Sequence, residues 1–536
     1  MLISDRIPAP EFVELGTKDA VGLDLLGLRL PAQNIGNMLL NGITTITPTV
    51  RYLSLRTWLL YRYVKANPAP PDRYRTFAAY AFHAEAAFAL ANLLRDRATG
   101  GLIGSRKGAQ KLGEEGELLR MERLAKQPAA FIYAGPSDQL RLTRARDPEV
   151  PEIGTEHGEP LAFAVEATLG ATSIGRRLRS PEPLTVATRL ELEELGRVAW
   201  VEEIPENERR ALIAAIIPED PASDAKPRVA TYAVLLTLAE RTADWLNEGH
   251  LFDEAVRPDR SDATPLAESL NGWLLYAVRD AIAVTGEGSL AAIVRKLHEL
   301  DPDCLGIKDA TLVRRLIEDA AAEQTNAIRE IGIGDGTEDL NSLPFRDLLD
   351  RVQSATSEVV QDGGIGRWNG QLTEPAIYRA TEGMRDGALM LGLVSWILAD
   401  RRVGVAIREN DVRARVLSHQ GQARFGLQQV VLPRLEDWQA RDLSVAAVLA
   451  EYTHLVIDQH LRIIWTRLAQ DPTRDVSVLL RDGDRLLRRA DYLGGRTASR
   501  LDQAIGWLYQ LALVNEDGIT NDGRAILERA LRAVSA

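Results

Sequence analysis

The stretch that decides the C-terminal fold is ASRLDQAIGWLYQLALVNEDGIT, residues Ala498 to Thr520. In its first part, Ala498 to Val514, apolar residues recur at i, i+3, i+4 and i+7, which predicts an amphipathic helix. Its second part, Leu513 to Thr520, is typical of a strand, an Asp-Gly turn and a second strand. The apolar positions of the helix are Leu501, Ala504, Ile505, Leu508, Leu511 and Ala512.

The wider segment, Val476 to Leu527, has the pattern of a helix, a short break, a second helix and a two-strand wing. This order predicts a winged helix-turn-helix module over residues 473–536. The second helix has a polar face free of carboxylates, a surface suited to a DNA major groove. That face carries Ser499, Gln503, Gly506 and Gln510.

Charge around this helix favours local DNA contact in an otherwise acidic protein of net charge −12. The segment Arg485 to Arg500 contains five arginines and one acidic residue, Asp491. The acidic wing opposes a phosphate backbone, however, because Glu516, Asp517 and Asp522 repel it. The alternative is therefore that the module docks a protein. The predicted DNA-binding residues are Arg485, Arg488, Arg489, Arg496, Ser499, Arg500 and Gln503.

Helical periodicity dominates the rest of the 536 residues, so the fold class is predicted to be mainly α, a multi-lobed helical protein with an α+β winged-helix module at its end. A chain of this length exceeds one hydrophobic core and divides into several domains. Breaks rich in Pro, Gly and Asp predict helical domains over residues 1–150, 151–335 and 336–472, the last with long helices. Predicted helices include Glu117 to Ala125, Ser269 to Val284, Leu290 to Leu300 and Ala310 to Ile331.

Several protein classes are disfavoured by composition. Met1 to Pro10 has no apolar run behind a basic region, so no signal peptide is expected. The most apolar stretch, Ala388 to Ala399, is shorter than the ~20 residues of a membrane helix. Cys304 is the sole cysteine, which excludes an intramolecular disulfide and a cysteine-rich zinc site. We therefore expect a cytoplasmic protein without membrane contact.

The glycine clusters do not have the spacing of nucleotide-binding motifs. Gly332, Gly334 and Gly336 lack the preceding strand and the third glycine of a Rossmann fingerprint, so they predict a loop. The segment Gly104 to Gly108 lacks the Walker A spacing and predicts a turn between helices. No cofactor is expected.

One helix carries weak candidates for metal ligands. Glu451, His454 and Asp458 fall on one face of the predicted helix Ser444 to Ala469, in an E-x-x-H pattern used by carboxylate-bridged metal sites. Such a site needs further carboxylates from other helices, which the sequence does not identify. The alternative, a solvated helix face with a local ion pair, is favoured, and no bound metal is expected.

The N-terminal third carries a resemblance. A threonine-rich run, Thr44 to Thr47, leads into Arg51-Tyr52 and then Trp58-Leu59. This opening resembles that of uncharacterised bacterial proteins encoded near DNA-restriction and phage-defence genes. The resemblance covers about a fifth of the chain and brings no catalytic residues. It implies a bacterial, antiviral-defence setting.

These observations lead to two functional hypotheses. The first is a non-catalytic adaptor or DNA-associated subunit of a bacterial complex, whose C-terminal winged helix engages double-stranded DNA or a partner protein while the helical body docks other subunits. The second is a metal-dependent hydrolase or nuclease with an unrecognised site, in which Glu451, His454 and Asp458 are the first residues to examine.

Overall fold

A computed structural model gives the architecture of the chain. It describes residues 24–66, 73–114, 116–146, 149–242, 245–256, 266–357, 359–362, 365–368, 372–383, 387–404, 407, 425–470, 476–496 and 498–535. The segment Met1 to Pro10 and the expected boundary at 472/473 lie outside these ranges. The other expected domain boundaries stay predictions.

The structure is mainly helical, with 66% helix against 7% strand, which confirms the mainly α fold class. Its strands form small antiparallel sheets of two or three strands. The chain divides into two compact units, each assembled from separate stretches. Unit 1 comprises Met1–Ile35, Phe252–Arg260 and Trp273–Thr497, and unit 2 comprises Gly36–Leu251, Ser261–Gly272 and Ala498–Ala536.

Unit 1 contains the 26-residue helix Val445–Gln470. Its helices are Asp309–Glu318, Ala321–Glu330, Phe345–Ser357, Glu374–Gly383, Ala388–Ala399, Leu432–Ala440 and Val445–Gln470, with π-helical turns at Asp400–Gly404 and Leu427–Val431. Helices Arg29–Leu39, Glu248–Val256 and Ala267–Leu300 have residues in both units. Strands Ile307–Lys308, Arg485–Arg488 and Leu479–Asp482 pair in that order, and Val359–Asp362 pairs with Ile365–Trp368.

The core of unit 1 is built around Ala388–Ala399, the most apolar stretch of the sequence, in which every residue is buried. Trp396 stacks on Trp438 with ring centroids 5.9 Å apart and meets Tyr452 edge-on. A helix without a polar face needs neighbours on all sides. Apolarity therefore places this helix in the interior of the unit.

Unit 2 combines helices of up to 23 residues with short strands. Its helices are Arg51–Ala66, Arg73–Arg95, Ser105–Glu114, Ala129–Ile132, Ala134–Gln139, Gly158–Thr168, Ser173–Arg177, Arg189–Ala199, Glu206–Ile216, Lys226–Arg241, Leu501–Gln510 and Asn521–Ser535, with a 3₁₀ turn at Leu169–Ala171. Strand Leu118–Arg120 pairs with Val186–Thr188, Thr143–Arg146 with Glu149–Ile153, and Val514–Asn515 with Gly518–Ile519.

The helix Arg73–Arg95 runs through unit 2 and packs against Arg189–Ala199. The two backbones approach closely at Gly196, where a Cβ atom would lie 2.6 Å from the carbonyl oxygen of Ala91. The segment Thr76–Arg95 is long and apolar enough to cross a membrane, but 67% of its most apolar window is buried inside the structure. A core helix of a water-soluble unit has the same composition.

The turn expected over Gly104 to Gly108 is wrong, because helix Ser105–Glu114 begins there. Four further expectations differ in the structure. Residues Leu118–Arg120 form a strand instead of a helix because they pair with Val186–Thr188. The expected helix Ala310 to Ile331 is two helices. Ser269 to Val284 and Leu290 to Leu300 belong to one 34-residue helix that continues through Gly286. A Cβ at Gly286 would lie 2.8 Å from Leu28, so the glycine is required by packing.

The fourth difference lies in the C-terminal segment. The first helix expected after Val476 is wrong, because Leu479–Asp482 and Arg485–Arg488 form an antiparallel hairpin. Backbone pairing of Ile307 with Leu486 extends that hairpin to three strands. The second helix is present but shorter than expected, over Leu501–Gln510, and the expected strand, turn and strand are confirmed over Val514–Ile519. We call these two elements the 501–510 helix and the wing. The winged helix-turn-helix module as a whole stays a prediction.

Candidate functional site

The 501–510 helix is held in unit 2 by hydrogen bonds to the threonine-rich segment that precedes Arg51. The indole Nε1 of Trp507 donates to the carbonyl oxygen of Thr47 at 3.0 Å. Gln510 donates from Nε2 to the carbonyl oxygen of Pro48 at 2.7 Å and accepts from the backbone N–H of Val50 at 2.8 Å. These bonds satisfy peptide groups outside regular structure, which are costly to leave unpaired when buried.

The residues that lead into the helix are also bound within unit 2. Arg500 donates from Nη1 to the carbonyl oxygen of Ile43. Ser499, which is 1% exposed, donates to Glu248 at 2.5 Å. Gln503 is half-buried on the helix, and the adjacent Asp502 is exposed, so the expectation of a face free of carboxylates is wrong. Of the three unit 2 residues predicted to read DNA, two are thus bonded to other parts of the chain.

An aromatic pair lies at the C-terminal end of the same helix. The rings of Trp245 and Tyr509 stack nearly parallel, with centroids 4.0 Å apart and an interplanar angle of 5°. The hydroxyl of Tyr509 accepts from the backbone N–H of Leu246 at 2.9 Å, which fixes the tyrosine ring. Trp245 remains 56% exposed. This pair could not be predicted from the sequence, because 264 positions separate Trp245 from Tyr509.

The wing packs on the helix Lys226–Arg241. Gly518 has a φ of +102°, and a Cβ at this position would lie 2.6 Å from the carbonyl oxygen of Ala239. A residue without a side chain is therefore required at this turn. Glu516 and Asp517, at the tip of the wing, are exposed. The following helix, Asn521–Ser535, packs along Lys226–Arg241, and its Arg529 donates to the carbonyl oxygen of Ile217 at 3.0 Å.

The other four predicted DNA-binding residues belong to unit 1, and each is bonded to a group of that unit. Arg485 donates to the carbonyl oxygen of Gly306 at 2.9 Å, Arg488 pairs with Asp491 at 2.5 Å, and Arg489 donates to Ser477 at 3.0 Å. Arg496 pairs with Asp280 at 3.0 Å, and its guanidinium carbon lies 4.5 Å from the ring centroid of Tyr378. The seven residues are therefore divided between the two units.

Glu451, His454 and Asp458, the weak candidates for metal ligands, each bind a different protein group. Glu451 accepts from Trp438 at 2.7 Å and from Arg441 at 2.6 Å. Asp458 accepts from Arg481 at 2.7 Å, and His454 lies 3.4 Å from Asp309. Among the described residues no group of three or more His, Cys, Asp or Glu is placed to hold a metal ion.

Ion pairs connect His454 and Asp458 to the hairpin Leu479–Arg488. The hydrogen bond to Asp309 raises the pKa of His454. Burial opposes ionisation of Asp309, but its contacts with His454 and Arg481 outweigh burial and lower the pKa of that carboxyl. Arg481 binds Asp309 at 2.8 Å as well as Asp458. The arrangement is a chain of ion pairs that joins three elements of unit 1.

Sequence reasoning did not find the buried charges of unit 2. Arg51 is 1% exposed and forms a bidentate pair with Glu208, with N···O distances of 3.1 and 3.0 Å. Burial raises the pKa of Glu85 to about 8, although the backbone N–H groups of Ala129 and Ala130 donate to this carboxylate. The one available signal was the arginine-rich helix Arg51–Ala66, whose aromatic residues are mostly buried.

Comparison with known proteins gives no match: no protein-family model, no curated protein and no solved structure is detectably similar to this chain.

Proposed function

We propose that this protein is a non-catalytic adaptor of a bacterial complex, in which a winged-helix-like element, the 501–510 helix with the wing, docks a partner protein. The setting, a bacterial complex linked to antiviral defence, rests on the resemblance of the N-terminal third. The helical remainder supplies surfaces for further subunits.

The observation that carries this proposal is the use of the helix's polar and basic groups. Arg500, Trp507 and Gln510 are bonded to the segment Ile43–Val50, and Ser499 is bonded to Glu248. A groove-reading helix needs such donors directed at base edges and phosphates. Here they hold the helix to its own unit, which favours docking of protein over DNA.

The acidic wing supports the same choice. Glu516 and Asp517 are exposed beside the helix, in a chain of net charge −12. Phosphate repulsion penalises DNA at this surface, whereas a partner protein of complementary charge is attracted. The contacts of Glu451, His454 and Asp458 disfavour a shared metal site at these residues, because each binds a separate protein group.

Site-specific photo-crosslinking in the native host tests the proposal. A photoreactive residue is placed at Gln503 or at Asn515 of the full chain, and the matched control carries it at exposed Arg346 of unit 1. We expect a discrete protein adduct from the first two positions and none from Arg346. Adducts to nucleic acid at Gln503, or no adduct at either test position, would contradict protein docking by this element.

A further inference from the structure

Trp245 presents one face of its indole to solvent. In a parallel stack at 4.0 Å, Tyr509 covers the opposite face of the ring. The exposed fraction of 56% contrasts with Trp58, Trp273, Trp396, Trp438 and Trp507, which are all below 2%. A large aromatic face held open at the surface is the kind of group that dominates binding energy at protein interfaces.

The pair is held in place before any partner binds. Leu246, next to Trp245, is buried and donates its N–H to Tyr509. The side chain of Asn247 donates to the carbonyl oxygen of Trp245 at 3.4 Å, and its amide oxygen accepts from the N–H of Gly249 at 2.9 Å. Because these bonds restrain the backbone around Trp245, little conformational entropy is lost when a partner binds.

The wing gives this surface an acidic character. Gly518 packs against the carbonyl oxygens of Ala239 and Thr242, three residues before Trp245. Two other acids near the wing are paired, since Glu240 binds Arg524 and Asp522 binds Arg209. Glu516 and Asp517 form no ion pair within the described residues. Their charges are therefore available to a partner.

We infer that the exposed face of Trp245, with the carboxylates of Glu516 and Asp517, binds an arginine-bearing basic segment of the partner protein. This inference rests on the proposed function and names the partner's chemistry. A guanidinium stacks on an indole face through the ring quadrupole and binds carboxylates bidentately. Lysine matches the charge but not the planar stacking. A nucleic acid base suits the indole, but its phosphates meet the acidic wing.

Fluorescence anisotropy with a defined probe tests the inference. The probe is a fluorescein-labelled peptide of Arg-Gly repeats, compared with Lys-Gly and Glu-Gly peptides, all titrated with the full chain. We expect the arginine peptide to bind most tightly and the glutamate peptide not to bind. Trp245→Ala should weaken arginine-peptide binding at least about tenfold. The joint change Glu516→Gln and Asp517→Asn should weaken it about threefold or more and flatten its salt dependence.

The matched control is Trp465→Ala, which removes a tryptophan that is 73% exposed in unit 1. It should leave peptide affinity unchanged, and circular dichroism should show all variants folded. Unchanged affinity in Trp245→Ala would overturn the inference. Binding of an oligothymidine that is lost in Trp245→Ala would also overturn it, by assigning the stack to nucleic acid. Failure of the proposed function has a different signature, nucleic-acid adducts at Gln503.

Discussion

Residues 476–496 and residues 498–519 follow one another in the chain and both bury apolar side chains, but their polar contacts differ in kind. The hairpin of the first region is extended by backbone pairing with Ile307–Lys308, and its Arg481 and Arg488 form exposed or half-buried ion pairs. The second region is held by a fully buried tryptophan and by side-chain hydrogen bonds to peptide groups. Buried contacts of the second kind lose more free energy when truncated than exposed ion pairs do.

The largest expected effect is at Trp507. Trp507→Ala removes a side chain that is 0% exposed, together with its bond to Thr47, and should lower the free energy of unfolding of unit 2 by about 3–5 kcal/mol. Leu493→Ala, its control in the first region, removes a side chain that is 82% exposed and should change stability by less than about 0.5 kcal/mol. Urea denaturation followed by circular dichroism measures both. Equal losses would remove the contrast between the regions.

The turn glycines of the two hairpins sharpen the comparison. In Gly518→Ala the new Cβ would clash with the carbonyl oxygen of Ala239, and alanine is strained at a φ of +102°. We expect the free energy of unfolding to fall by about 2–3 kcal/mol. Gly483→Ala has a φ of +59° and no atom within 4 Å of its Cβ, so only backbone strain of about 1 kcal/mol applies. Thermal unfolding distinguishes the two. A larger loss at Gly483 would contradict the packing of the wing on Lys226–Arg241.

A smaller effect is expected at Gln510. Gln510→Ala leaves the Val50 N–H and the Pro48 carbonyl oxygen without their partner and should cost about 1–2 kcal/mol. In the first region, Arg489→Ala removes one bond to Ser477 and should cost less than about 1 kcal/mol. Hydrogen exchange of the Val50 amide checks the mechanism, since its protection should fall in Gln510→Ala alone. Unchanged protection would argue against the bond.

Only some of the contacts in the two regions could be predicted from the sequence. The amphipathic stripe of the 501–510 helix and the Asp-Gly turn of the wing are local signals, so both elements could be predicted. The hairpin has the same local signal, Asp482-Gly483, which the helical interpretation missed. Its third strand, Ile307–Lys308, could not be predicted because that pairing joins residues far apart in the chain. The hydrogen bonds of Arg500 and Gln510 to Ile43–Val50 also span more than 450 positions. Sequence therefore predicted the helix and its polar residues but not what those residues bind.

A small pH dependence is expected at the ion pairs that connect His454 and Asp309 to Arg481 of the first region. His454 gains a partner in Asp309, so its folded pKa lies above its unfolded value. The resulting stabilisation is present below the unfolded pKa and is lost as the pH rises through the folded pKa of His454. We expect less than about 1 kcal/mol, because the imidazole is half-exposed. Urea midpoints from pH 5.5 to pH 9 should show this loss in the wild type and not in His454→Gln. An equal slope in both would exclude the pair.

Polar groups of the 501–510 helix and of the residues that lead into it bind other parts of unit 2, so we expect this helix to dock protein and not to read DNA. The most direct measurement is anisotropy of a fluorescein-labelled DNA duplex titrated with the full chain at several salt concentrations. We predict no saturable binding even at low salt, in the wild type and in Gln503→Glu alike. Saturable binding that weakens steeply with salt, and that is abolished by Gln503→Glu in a folded protein, would contradict the account.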